Sequence, residues 1–253
     1  MRTFSRPLLG LALALSATPA MAQDAEAPAV TVSGSVAVVS DYRFRGISQT
    51  NKDFAVQAGV TVSHESGLYA GVWGSSVDEY IAAGSDQEID LIVGYKKTFG
   101  ATTLDVGGLY YYYPGSSKIT PGTNSDFLEL YTSLSQTIGP VSAKLAAFYS
   151  PKQAGLSLGA GKLDNFYMNV GLSGSIPDTG VSLSAGVGRT FTASYLSGGS
   201  KYTDWSVGAS YTTGKVTFGL NYVDTSYGAG ALVSPTGKDI AKGGIFGSVG
   251  VSF

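Results

Sequence analysis

The sequence predicts an all-β fold, an antiparallel up-and-down transmembrane β-barrel of about 12 strands preceded by a cleavable signal peptide. Three observations predict it. From Val30 to Phe253, runs of about ten residues alternate apolar with small or polar side chains and end at Gly, Pro or Asn breaks. The connections between these runs alternate short with long. The polar positions hold mostly Ser, Thr, Gly and Asn, and only 13% of all residues are charged. A soluble sandwich would carry abundant charge on its wet face, whereas a barrel interior need not.

At the N-terminus, Arg2 and Arg6 form a basic region, residues 8–15 an apolar one, and Ala20-Met21-Ala22 a cleavage site. The expected organisation is therefore a signal peptide over 1–22, a short periplasmic segment over 23–29 and the barrel over 30–253. The apolar run is too short for a membrane-spanning helix, so any span must be made by strands. Loss of Arg2 and Arg6 takes the formal charge from −2 to −4, which gives no reason to expect a nucleic-acid partner. Cys is absent, excluding disulfides and thiolate metal sites. The 35 Gly and 16 Tyr suit bending strands and membrane interfaces.

The first run sets the pattern. Val30, Val32, Val36, Val38, Tyr42 and Phe44 occupy even positions, while Thr31, Ser33, Ser35, Asp41, Arg43 and Arg45 are odd. Strand side chains alternate between faces, so even positions are assigned to lipid and odd positions to the lumen. The expected strands are 30–45, 54–63, 68–77, 87–96, 102–113, 126–135, 141–150, 165–175, 181–192, 202–212, 215–224 and 243–253. Their short connections are 64–67, 97–101, 136–140, 176–180 and 213–214; the long ones are 46–53, 78–86, 114–125, 151–164, 193–201 and 225–242. Bacterial outer-membrane barrels have short periplasmic turns and long outer loops, which places both termini in the periplasm. Aromatic girdles are expected from Tyr42, Phe44, Phe54, Tyr110, Tyr112, Tyr149, Phe166, Phe191, Trp205 and Tyr222 near outer ends, and from Tyr95, Tyr211 and Phe253 near inner ends. In the last strand Ile245, Val249, Val251 and Phe253 share the lipid parity, and the terminal Phe253 resembles the signal by which the outer-membrane assembly machinery recognises its clients. Twelve strands give a backbone radius of about 12 Å, half of it taken by side chains.

The segment from Ser40 through Asp41, Tyr42, Arg43, Phe44, Arg45, Gly46, Ile47, Ser48 and Gln49 to Thr50 resembles the opening motif of the TorF-like porins of the proteobacterial outer membrane. The likeness continues from His64 to Trp73 and from Glu88 to Tyr95. It implies a porin-like barrel and no assigned binding residues.

The inward parity holds the candidate lumen-lining charges Asp41, Arg43, Arg45, Glu88, Asp90, Lys96, Asp105, Glu129, Lys144 and Asp204. Six acids against four bases argue against a polyanion channel and for weak cation preference. Arg43 and Arg45 have two readings: a transverse field facing Asp90 or Glu129, or salt bridges that satisfy one another. On the assumption that the acids face water, replacing both arginines by Ala is expected to leave the barrel folded. Residues 46–51 read as a polar hairpin, with a recognition or mouth-covering loop as the alternative. The single His, His64, falls at a short turn, and residues 159–162 lack the first Gly and the final Ser or Thr of a phosphate loop. No catalysis, cofactor or metal is expected. The leading functional expectation is a passive channel for small hydrophilic solutes in the outer membrane. The alternative is a non-conducting barrel whose outer loops bind a ligand or partner, its lumen plugged by Tyr111, Tyr113, Tyr131, Tyr167 and Phe246.

Overall fold

A computed structural model describes residues 29–116, 124–159 and 161–253. The signal peptide over 1–22 and nearly all of the 23–29 segment lie outside the described residues. The strands are β1 (Val30–Val39), β2 (Arg43–Phe44), β3 (Ile47–Ser48), β4 (Ala55–His64), β5 (Leu68–Ser76), β6 (Gln87–Phe99) and β7 (Thr102–Tyr112). They continue as β8 (Phe127–Ile138), β9 (Val141–Gln153), β10 (Leu163–Ser175), β11 (Val181–Thr190), β12 (Thr203–Thr213), β13 (Val216–Thr225) and β14 (Gly244–Ser252). Twelve of them close a barrel in chain order; β2 and β3 form a separate two-stranded hairpin. Every barrel junction is antiparallel, as an up-and-down course of the chain with an even number of strands requires.

The parity expected from the alternation holds. Val36 pairs with Val251 and Val38 with Val249 across the β1–β14 seam, and these valines are 43–47% exposed on the outer face. A one-residue slip would have turned them inward. Phe54, Tyr95, Tyr110, Tyr112, Tyr149, Phe191, Trp205, Tyr211, Tyr222 and Phe253 are likewise exposed. The seam carries five paired positions, from Ser35 with Ser252 to Val39 with Ser248, whereas β1 and β4 share ten. Just beyond it, Gly34 and Phe253 exchange backbone hydrogen bonds of 2.9 and 3.0 Å.

Strands β6, β8 and β9 run three residues beyond the expected ends, to Phe99, Ile138 and Gln153, and the first element departs most. The first wall strand ends at Val39 instead of residue 45, and the chain then turns into the barrel. Arg43 pairs with Ser48 and Phe44 with Ile47 around a two-residue turn of Arg45 and Gly46, whose φ values are +47° and +86°. Two positive φ angles give the turn twist that a tight hairpin needs, and Gly46 supplies one of them without strain. Tyr42, placed in a lipid girdle by its parity, is instead buried against Trp73, with ring centroids 5.6 Å apart, and Phe44 packs edge-on against Tyr111. The apolar core is therefore inside the barrel at its long-loop end. It comprises Val39, Tyr42, Ala55, Trp73 and Val77 on one side and Ala82, Tyr111, Tyr113, Phe127 and Leu156 on the other. Ile47, Tyr202 and Ile240 join the hairpin to the last long loop.

Candidate functional site

The hairpin reaches across the lumen. Arg45 Nη2 donates to both oxygens of Glu129 on β8, at 2.8 and 2.7 Å, and Nη1 donates to Asn165 Oδ1 on β10 at 3.0 Å. β8 lies on the far side of the ring from β1, so this pair ties the hairpin to the opposite wall. The guanidinium sits 4.2 Å from the Tyr167 ring centroid and 4.7 Å from that of Phe44. Burial works against its charge, but the Glu129 carboxylate more than offsets this and holds Arg45 above its ordinary range. Glu129 is fully buried, and it also accepts from Ser150 Oγ at 3.1 Å and Tyr111 OH at 3.3 Å.

Arg43 serves the hairpin itself. Its Nε donates to Asp41 at 2.5 Å, and Nη1 donates to the carbonyls of Gly46, Ile240 and Lys242 at 2.9, 3.3 and 3.1 Å. Ser48 Oγ donates to the other Asp41 oxygen at 2.6 Å. The Ser48 carbonyl accepts from Tyr80 OH at 2.9 Å and the Arg45 carbonyl from Tyr202 OH at 2.9 Å, so the long loops grip the hairpin backbone. Ser48, Gln49, Thr50 and Asn51 are all buried. Residues 46–51 thus form a hairpin folded inside the mouth, satisfied by protein groups instead of water.

The predicted charges fall into two groups. Asp41, Arg43, Arg45, Glu88, Asp90, Glu129 and Asp204 belong to the buried layer at the long-loop end. There Glu88 accepts from Tyr42 OH at 2.8 Å and Tyr113 OH at 2.7 Å, and Asp90 stands beside Trp73 on the neighbouring strand. Lys96, Asp105 and Lys144 lie toward the short turns. Lys96 Nζ is 3.4 Å from Asp105 and 55% exposed, and Asp105 also accepts from Tyr69 OH at 2.7 Å. Tyr69 in turn hydrogen-bonds Tyr131, and Gly94 and Gly107 leave the room these two rings occupy.

Asp41, Arg43 and Arg45 are interior, as expected, but on the hairpin instead of the wall. The assumption that the acids facing these arginines stand in water is overturned, since Asp41 and Glu129 are buried and committed. The sequence reading missed Asn165, Ser150 and Trp73; all three lie on the inward parity of their strands, which could have found them. Tyr202 OH on the Arg45 carbonyl had no sequence signal. Tyr111, Tyr113, Tyr167 and Phe246 fill the interior, with Tyr131 half-buried. His64, expected in a turn, is the last residue of β4, where it pairs with Val30 and lies exposed beside Ser66. Among the described residues no group of three or more His, Cys, Asp or Glu is placed to hold a metal.

A closed ring of strands with an apolar outer band and a charged interior is the architecture of an outer-membrane-type β-barrel. Residues 22–253 match the family described as bacterial protein of unknown function (Gcw_chp), and the chain belongs to that family. No curated protein matches it. Among solved structures it is similar to the COG4313 outer membrane channel from Pseudomonas putida F1, at 13% identity and a TM-score of 0.53, over 92% of this chain and 99% of that one. It is also similar to a chain solved in work on the in-meso crystallization of membrane proteins, at 12% identity and a TM-score of 0.55, over 88% and 83%. At these identities the likeness is one of fold.

Proposed function

We propose that the protein is a TorF-like outer-membrane porin, a narrow channel for small hydrophilic solutes whose outer mouth is constricted by the β2–β3 hairpin. The carrying observation is the short-turn half of the interior. There Ser33, Ser35, Ser182, Ser184, Ser210, Thr212, Thr217 and Ser248 remain partly exposed, which makes a wet, hydroxyl-lined lumen. A barrel built only as a plug would fill that half as it fills the other. In this reading the long loops face outward, both termini are periplasmic, Phe253 is recognised during assembly, and no reaction or cofactor is involved. Selectivity rests on width and lining charge.

The test is conductance of the refolded mature protein in planar bilayers. Small steps are expected for the wild type. Larger ones are expected for the paired Arg45→Ala/Glu129→Ala variant, which unties the hairpin without leaving a buried charge alone. Silence from both would sink the channel and favour the second reading, a partner-binding barrel. The observation on that side is the thorough burial of the hairpin, with Arg43 only 2% exposed.

A further inference from the structure

On the wall of β10, β11 and β12, three successive rungs run Asn169–Gly188–Asp204, Gly171–Gly186–Ser206 and Ser173–Ser184–Gly208. The middle rung has almost no side chains, and the wall is recessed there by about 420 Å³, including the open side toward the lumen. Tyr167 lies over Gly188, where a Cβ would meet its hydroxyl at 1.9 Å, and donates that hydroxyl to Asp204 Oδ1 at 3.1 Å.

Two buried polar atoms of residues lining this recess lack partners, Asp204 Oδ2 and Asn169 Oδ1, as does Ser173 Oγ on the third rung. Two of them are acceptors only, and Asp204 is itself 9% exposed. Buried acceptors without donors are uncommon and costly, so the recess is short of N–H or O–H groups. It is also short of positive charge. Arg45 is paired with Glu129, Arg43 with Asp41, and Lys96 with Asp105. Lys144 neighbours Gly171 on β9 but is not among the residues lining the recess. A neutral polyol would supply the donors but not the charge; an ammonium supplies both.

We propose that this recess binds the ammonium group of small alkylamine solutes, with Asp204 Oδ2 and Asn169 Oδ1 accepting its protons and the glycine floor of Gly171 and Gly186 admitting the first methylenes. The proposal deepens the channel reading by naming a solute class, and its test does not use ion flow. The refolded full-length mature protein is titrated calorimetrically with 1,4-diaminobutane and, separately, with the neutral 1,4-butanediol. Saturable binding is expected for the diamine, at least about tenfold tighter than for the diol, because hydrogen bonds to a charged group exceed neutral ones by roughly that factor.

Asp204→Asn keeps an acceptor for Tyr167 and removes the charge; it should weaken diamine binding by about tenfold or more. Gly186→Leu should abolish binding, since a Cβ there meets only ordinary contacts at 3.5 Å and the remaining side chain fills the recess. Equal affinity for diol and diamine, or diamine binding indifferent to Asp204→Asn, would overturn the proposal. If Gly186→Leu does not fold, the wild-type pair of titrations and the isosteric Asp204→Asn decide it. Calorimetric failure beside normal conductance would remove the amine site alone; binding beside silence would remove the channel alone.

Discussion

The two halves of the barrel interior are enclosed by the same twelve strands and built from opposite materials. At the long-loop end, Tyr42, Trp73, Tyr111, Phe127 and Tyr202 pack around Arg43, Arg45, Glu88 and Glu129, and all these side chains are buried, that of Arg45 being 7% exposed. At the short-turn end, Ser182, Ser184, Ser210, Thr212, Thr217 and Ser248 line a space they do not fill. Strand number fixes the ring's diameter, but inward side-chain volume and loop placement decide what is left of it. One half therefore behaves as a protein core, where removal of an atom is felt, and the other as a surface.

The largest effect should come from Glu129→Ala, which leaves the buried Arg45 guanidinium uncompensated. About 3–5 kcal/mol of stability should disappear, read by urea unfolding in detergent, and adding Arg45→Ala should restore part of it. A loss below about 1 kcal/mol would mean that water reaches this pair and that the two halves are less distinct than described. Next comes Tyr111→Ala, which removes a ring stacked on Phe127 at a centroid distance of 4.2 Å; a loss of about 3 kcal/mol is expected in the same assay.

At the boundary between the halves, Gly107→Ala would set a Cβ 2.5 Å from the Val93 carbonyl oxygen and 2.4 Å from the Tyr131 hydroxyl. Backbone cannot yield as a side chain can, so about 1–3 kcal/mol is expected. The smallest effect belongs to the wet half, where Ser210→Ala should shift the unfolding midpoint by no more than about 0.5 kcal/mol allows. Lys238→Ala, which breaks an exposed pair with Asp53 at 3.0 Å, should fall in the same range. A large loss at Ser210 would show that the short-turn end is packed after all.

The wall of the barrel was legible in the sequence because a sheet repeats every two residues, and lipid on one side against a polar lumen on the other writes that period into Val36, Val38, Val249 and Val251. The hairpin was not legible, for the same reason. Its strands also alternate, so Asp41, Arg43 and Arg45 keep their parity whether the chain stays in the wall or leaves it. Only Gly46, with its positive φ, marks the departure. The ten inward charges were readable as inward, yet their partners were not. Arg45 meets Glu129 because the ring closes and the hairpin spans it, and no local pattern in either segment encodes that distance. Trp73 shows the complementary difficulty, since aromatic rings serve equally at a membrane interface and in a core.

The seam between β1 and β14 has a kinetic meaning. Every other junction of the ring joins strands linked by a turn or a loop and closes at modest entropic cost, whereas the seam must bring the first and last strands of the barrel together. It is also the shorter of the two junctions that β1 makes, with five paired positions against ten. Assembly is therefore ordered by connectivity: a curled, open sheet comes first, with β1 and β14 as its two unpaired margins, and cyclisation comes last. Until that step both margins offer free backbone donors and acceptors to any other strand within reach. Refolding rate should accordingly follow the seam. A circular permutant that links Phe253 to Val30 and opens the turn between β12 and β13 should carry the slow step to that new margin.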